Sequence, residues 1–180
     1  MFVTNLLEHL AADAAPGPSA AARAVAELHA VAAGLGESLR CFAVSGFDDD
    51  GLLQVTTAVE ALGRRVDALR VLVAGEVAER SRSELGTGQL SARKGCRNAG
   101  ELLKRITLGS GPTARRRIRL GTQLRTGRSL SGEPLPPIFP ATAFGLATGA
   151  IGVDTADAEL GAQPQPPPRR GPRHQRDPLE

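Results

Sequence analysis

The chain has no Trp and no Tyr, and its five Phe (Phe2, Phe42, Phe47, Phe139 and Phe144) all lie outside its most basic stretch. Single-strand nucleic-acid binders of the OB or RRM type stack bases on aromatic platforms, so this composition argues against that mode of binding. Cysteine is almost as scarce. Cys41 and Cys96 are far apart and have no neighbouring Cys or His at metal-ligand spacing, which points to reduced thiols in a cytosolic chain. The histidines, His9, His29 and His174, are scattered and form no constellation. No segment approaches the roughly eighteen uninterrupted apolar residues of a membrane span. The N-terminus MFVTNLLEHLAADAAPG lacks a basic leader region and is interrupted by Glu8, His9 and Asp13, so neither a signal peptide nor a membrane partner is expected. There is no P-loop, no GxSxG, and no Ser/His/Asp or paired His/Cys arrangement above chance. The expectation is a chain with no catalytic residue, no metal site, no cofactor and no small-molecule substrate.

What the chain does have is charge, unevenly placed. Residues 93–128 hold eleven Lys or Arg against one acid, Glu101. The residues before them carry seven bases and twelve acids, and those after carry four and six. A net charge of +3 therefore hides an acidic, basic, acidic layout. A field concentrated in this way draws a polyanion to one face. Nucleic acid is the first candidate, an acidic protein segment the second, and an ordinary solvated helix face the plain alternative. With no aromatic platform in the stretch, duplex DNA is the favoured nucleic acid.

The strongest periodic signal precedes the basic stretch. Leu52, Val55, Val59, Leu62, Val66, Leu69 and Val73 recur at alternating spacings of three and four, a coiled-coil seam held for three heptads. The spacing predicts a long helix over residues 50–84, on the order of 50 Å in length. Asp48 to Asp50 supply capping oxygens at its start, and Gly86 lies just past its expected end. A seam of this length needs a partner, either the N-terminal helices folding back or the same seam in a second chain, a homodimer. Upstream, a Pro-Gly-Pro break at Pro16 to Pro18 separates two short helical candidates, the second running from Ser19 to Ala33 with Gly34 and Gly36 as stops.

The basic stretch reads as two short helices within residues 98–125. Asn98 and Glu101 make a box-like N-cap, and Ala99, Leu102, Leu103 and Ile106 share a face. LGSGP then interrupts, with Gly109 as a stop and Ser110 or Gly111 capping the next helix ahead of Pro112. The outline is a helix-turn-helix. On a helical wheel Arg115, Arg116, Arg119, Thr122 and Gln123 share a polar arc of roughly 120°. Arginines neutralise phosphates and read guanine, and Gln reads adenine. Lys104, Arg105, Arg115, Arg116, Arg119 and Gln123 are thus the candidate nucleic-acid-binding residues.

The whole is expected to be all-α: a long amphipathic helix packed with shorter helices, including the helix-turn-helix-like basic segment. Residues 1–47 hold the N-terminal short helices, 48–160 the main helical region with further short helices over 141–158, and 161–180 a Pro- and Arg-rich tail. That tail has no apolar periodicity and cannot bury enough surface to offset its ordering entropy, so it is expected to be disordered.

Four phrases in order, EALGRRVDALRVLVAGEVAERS, LSARKGCRNAGELLKRIT, LSGEPLPPIFPA and ATGAIGVDTA, resemble the family called domain of unknown function 222, related to 13E12-type repeats. The resemblance covers residues 50–156 or so. It implies a mostly helical region that forms the N-terminal part of HNH-endonuclease-like proteins of high-GC Gram-positive bacteria. The metal-dependent nuclease domain normally follows it. The catalytic half does not carry over, because none of the three histidines matches an HNH site, so no nuclease chemistry is expected of this chain. After Ala156 the sequence turns to Pro, Arg, Gln and Gly, the change that a frameshift or truncated gene copy produces. Two functions stay open: a non-catalytic DNA-binding module, or a helical dimerisation scaffold whose basic helices pair with acids such as Glu76, Glu79 and Glu84.

Overall fold

Local capping chemistry starts the helices where the sequence places polar oxygens. A computed structural model of the protein describes residues 18–41, 43–128, 131 and 133–162. The first expected helix, before Pro16, and the tail from residue 163 onward lie outside the described residues. Helix α1 runs from Pro18 to Cys41, passing through Gly34 and Gly36 rather than stopping there. An interior glycine weakens a helix by about 1 kcal/mol but does not end it unless the chain needs a positive φ, and neither glycine has one. No described side chain of α1 is buried.

Helix α2 spans Asp49–Glu79, and Asp48 caps it by accepting a hydrogen bond from the Gly51 amide at 2.8 Å. It ends five residues before the expected Glu84. From there the chain turns into a 3-10 segment, Ser83–Gly88, then α3, Leu90–Arg93. The turn is held by Leu90 donating to the Arg80 carbonyl at 2.7 Å and Ser91 donating to Ser81 Oγ at 3.2 Å. Helices α4 (Ala99–Thr107) and α5 (Gly111–Leu124) follow, then a minimal antiparallel pair, β1 (Gly127–Arg128) and β2 (Pro134–Leu135). Helices α6 (Pro140–Thr148) and α7 (Val153–Ala162) complete the described chain. The described residues are all-α apart from that short pairing. No helix among the described residues is long and apolar enough to cross a membrane.

The core does not lie on the heptad seam. Helix α2 buries Ala68, Val71, Ala74 and Gly75, a face of small residues opposite the seam. Ala68 and Val71 pack with Leu120, Leu124, Leu146, Ala156 and Leu160, so α2, α5, α6 and α7 share one cluster. Ala74 packs with Leu103 and Ala114 and brings in α4. Arg64 on α2 ties down the end of α6, its Nε donating to the Gly149 carbonyl at 2.8 Å. Seam residues Val59 and Val73 are 58% and 59% exposed, and Leu52 and Val66 are exposed too. Volume explains the difference: bulky residues hold helix axes apart, whereas Ala and Gly let α5 approach α2 closely.

Candidate nucleic-acid interface

The helix–turn–helix outline is present in α4 and α5. Asn98 caps α4 by accepting from the Glu101 amide at 2.9 Å. Glu101 reaches one residue further back than a capping box requires, accepting from the Arg97 amide at 2.9 Å and from Arg97 Nε at 3.1 Å. The backbone hydrogen bond, followed by the side-chain one, holds the Glu101 carboxyl below the usual range. Ala99, Leu102 and Leu103 are buried as expected, while Ile106 is exposed. The residue in the left-handed conformation at the end of α4 is Leu108, with φ 53°, not Gly109. Ser110 caps α5 by accepting from the Thr113 amide at 3.2 Å, and Pro112 sits in the first turn.

The six candidate residues divide by what they touch. Lys104 and Arg115 are exposed and make no ion pair among the described residues. Arg105, also exposed, donates to the Lys94 carbonyl at 2.5 Å and so draws the end of α3 against α4. Arg93 and Lys94, at the end of α3, are thereby held beside Arg105, and Arg115 lies beyond the turn, on α5. Arg116 and Arg119 instead point at α7. Arg116 Nη2 donates to Asp154 and its Nε donates to Asp157 at 3.1 Å, while Arg119 donates to the other Asp157 oxygen. The hydrogen bond to Asp154 raises the Arg116 pKa against an opposing desolvation, so this guanidinium keeps its charge. Gln123 is half-buried, and its Oε1 is buried without a donor.

Two more bases of the stretch are internally paired. Arg125 meets Glu79 of α2, and Arg97 meets Glu101. The acids that meet the basic helices are thus Glu79, Asp154 and Asp157. Glu76 pairs with Arg80 on its own helix. Between α2, α5 and α7 lies an open groove of about 570 Å³ in which Glu60, Asp67 and Asp154 alternate with Arg64, Arg116 and Arg117. Its balanced charge gives it no preference for an ion of either sign. Among the described residues no group of three His, Cys, Asp or Glu is placed to hold a metal ion.

Sequence reasoning missed the α7 aspartates and two glycines, Gly75 and Gly121, at which α2 and α5 touch. The aspartates had a signal. Asp154 and Asp157 repeat the three-residue spacing of Arg116 and Arg119, so two helical rows can face each other. Gly75 and Gly121 are interior to otherwise good helices, but so are Gly34, Gly36 and Gly63, which have open space around them, so only the fold tells the two kinds apart. No family model matches the chain, and no curated protein and no solved structure matches it.

Proposed function

We propose that the chain is a non-catalytic helical module that binds duplex DNA through the end of the fold formed by α3, α4 and the start of α5. In this reading it is a cytoplasmic protein, and it corresponds to the N-terminal region of an HNH-endonuclease-like protein, as the resemblance of its four phrases implies. The observation that carries the DNA reading is what remains after internal pairing. Arg93, Lys94, Lys104 and Arg115 make no ion pair among the described residues, and Arg105, though within Coulombic reach of Glu101, gathers the α3 end against α4. Phosphate neutralisation draws on exposed cations of this kind. Arg116 and Arg119 then serve the fold, and Gln123 is withdrawn from base reading.

The test is fluorescence anisotropy of a labelled duplex across a salt series. The chain is expected to bind more weakly as salt rises, and the variant K104Q/R105Q/R115Q to flatten the log–log slope by about 0.9 for each phosphate it no longer neutralises. No binding at low salt would overturn the reading.

A second reading, a dimerisation scaffold, is favoured by one observation: the heptad seam of α2 faces solvent instead of the core. Sedimentation of the purified chain tests it, a dimer supporting and a monomer excluding it.

A further inference from the structure

Helix α2 has two apolar faces, and only one has a partner. Ala68, Val71, Ala74 and Gly75 are covered by α5 and its neighbours. On the opposite side Leu52, Val59, Val66 and Val73 remain exposed, with Val55, Leu62 and Leu69 half-buried among them. In heptad terms the first four are a positions and the last three d positions of one seam. Residues at this spacing converge on a second helix, and no described element supplies one.

We infer that the second helix is α2 of another copy of this chain, laid antiparallel across a two-fold axis that passes between Glu60 and Ala61. This rests on the dimerisation reading above and specifies its geometry. In that register the seam is self-complementary: Val59 packs against the partner's Leu62, Val55 against the partner's Val66, and Leu52 against the partner's Leu69. Closed two-fold pairing of this kind uses one patch twice.

Flanking charge selects the orientation. A parallel in-register pair would set Arg65, at a g position, against the partner's Arg70, at e, twice per dimer. The antiparallel register sets Asp49 against the partner's Arg70, also twice, and aligns the helix dipoles favourably. Both side chains are free to do so: Asp49 is exposed, and Arg70 is more than half exposed with only the nearby Asp67 as partner. In the same register Val73 falls opposite the partner's Asp48, the N-cap at the end of the seam.

Sedimentation and cross-linking test this together. The expected result is a dimer that V59K/V66K converts to a folded monomer with unchanged helicity, because neither side chain belongs to the core. D49R and R70D should each weaken the dimer several-fold at low salt, and D49R/R70D should restore it. Mixed V55C and V66C proteins should form a disulfide between chains that neither forms alone, since like positions would lie about 16 Å apart along the axis. A dimer in which V66C cross-links to itself would be parallel; it would overturn the inference while the dimerisation reading survives. A monomeric wild-type chain would remove both.

Discussion

Gly75 and Gly121 meet where α2 crosses α5, so closely that a Cβ on Gly75 would lie 2.6 Å from the Gly121 carbonyl carbon. A Cβ on Gly121 would in turn meet the Val71 carbonyl oxygen and, at 2.6 Å, the Gly75 nitrogen. Both clashes are with backbone, which cannot swing aside as a long side chain would. The crossing sits between the two buried clusters, so any separation of the helices there opens both.

Gly121→Ala is therefore expected to destabilise the fold by about 3 kcal/mol or more, at the upper end of overpacking effects. Gly63→Ala, on the same long helix with open space around the added methyl, should raise stability by about 1 kcal/mol. Urea denaturation of the two variants checks both signs in one comparison.

The Arg116–Asp157–Arg119 cluster makes a prediction that separates fold from binding. Asp157→Asn should lower stability by about 1–2 kcal/mol, since it weakens two charge-assisted contacts at a half-buried site. On the proposed DNA reading, the same change frees Arg119, while Asp154 still holds Arg116, and steepens the salt dependence of duplex binding. Arg116→Gln should destabilise similarly yet leave the slope unaltered. Thermal melts and anisotropy on the same samples read the two effects.

Leu108 holds a left-handed conformation with its side chain 92% exposed, so it carries backbone strain without burial in return. Leu108→Gly is expected to stabilise the protein by about 0.5–1 kcal/mol, because glycine adopts this φ without a Cβ clash. A rise in melting temperature checks it, and a fall would mean that Leu108 makes a contact in solution.

Glu101 predicts an acid-side effect. Its carboxyl is held low by the Arg97 amide and guanidinium, so the folded form favours the ionised state more than the unfolded form does. A depressed folded pKa contributes stability that is present above the unfolded value, about 4.3 for glutamate. It is lost as pH falls through the lower folded pKa. The melting-temperature gap between wild type and Glu101→Gln should be full at neutral pH and close on acidification below about pH 4. A gap constant across that range would exclude ionic pairing as its source.

Much of the local structure was legible because capping is local chemistry. Asp48, Asn98 and Ser110 each cap the helix that their position in the sequence announced. The two-helix outline of the basic stretch follows from the same signals. Arg115 is exposed, as its place on the polar arc implies, and Lys104 and Arg105 are exposed too. Where α4 stops was less legible. Glycine is the usual left-handed residue there, and Leu108 takes that conformation one residue early.

By itself the sequence determined the helical class, three of the helix starts and the charge of each stretch of chain, since these depend on residues a few positions apart. Only the tertiary structure decided which face of α2 is core and which arginines are free. Hydrophobic periodicity weights bulk, so it points to Val59 and Val66, whereas close packing selects the small residues Ala68 and Gly75 on the other side. A run of arginines, likewise, says nothing of what it meets until Asp154 and Asp157, about forty residues later, are folded against it.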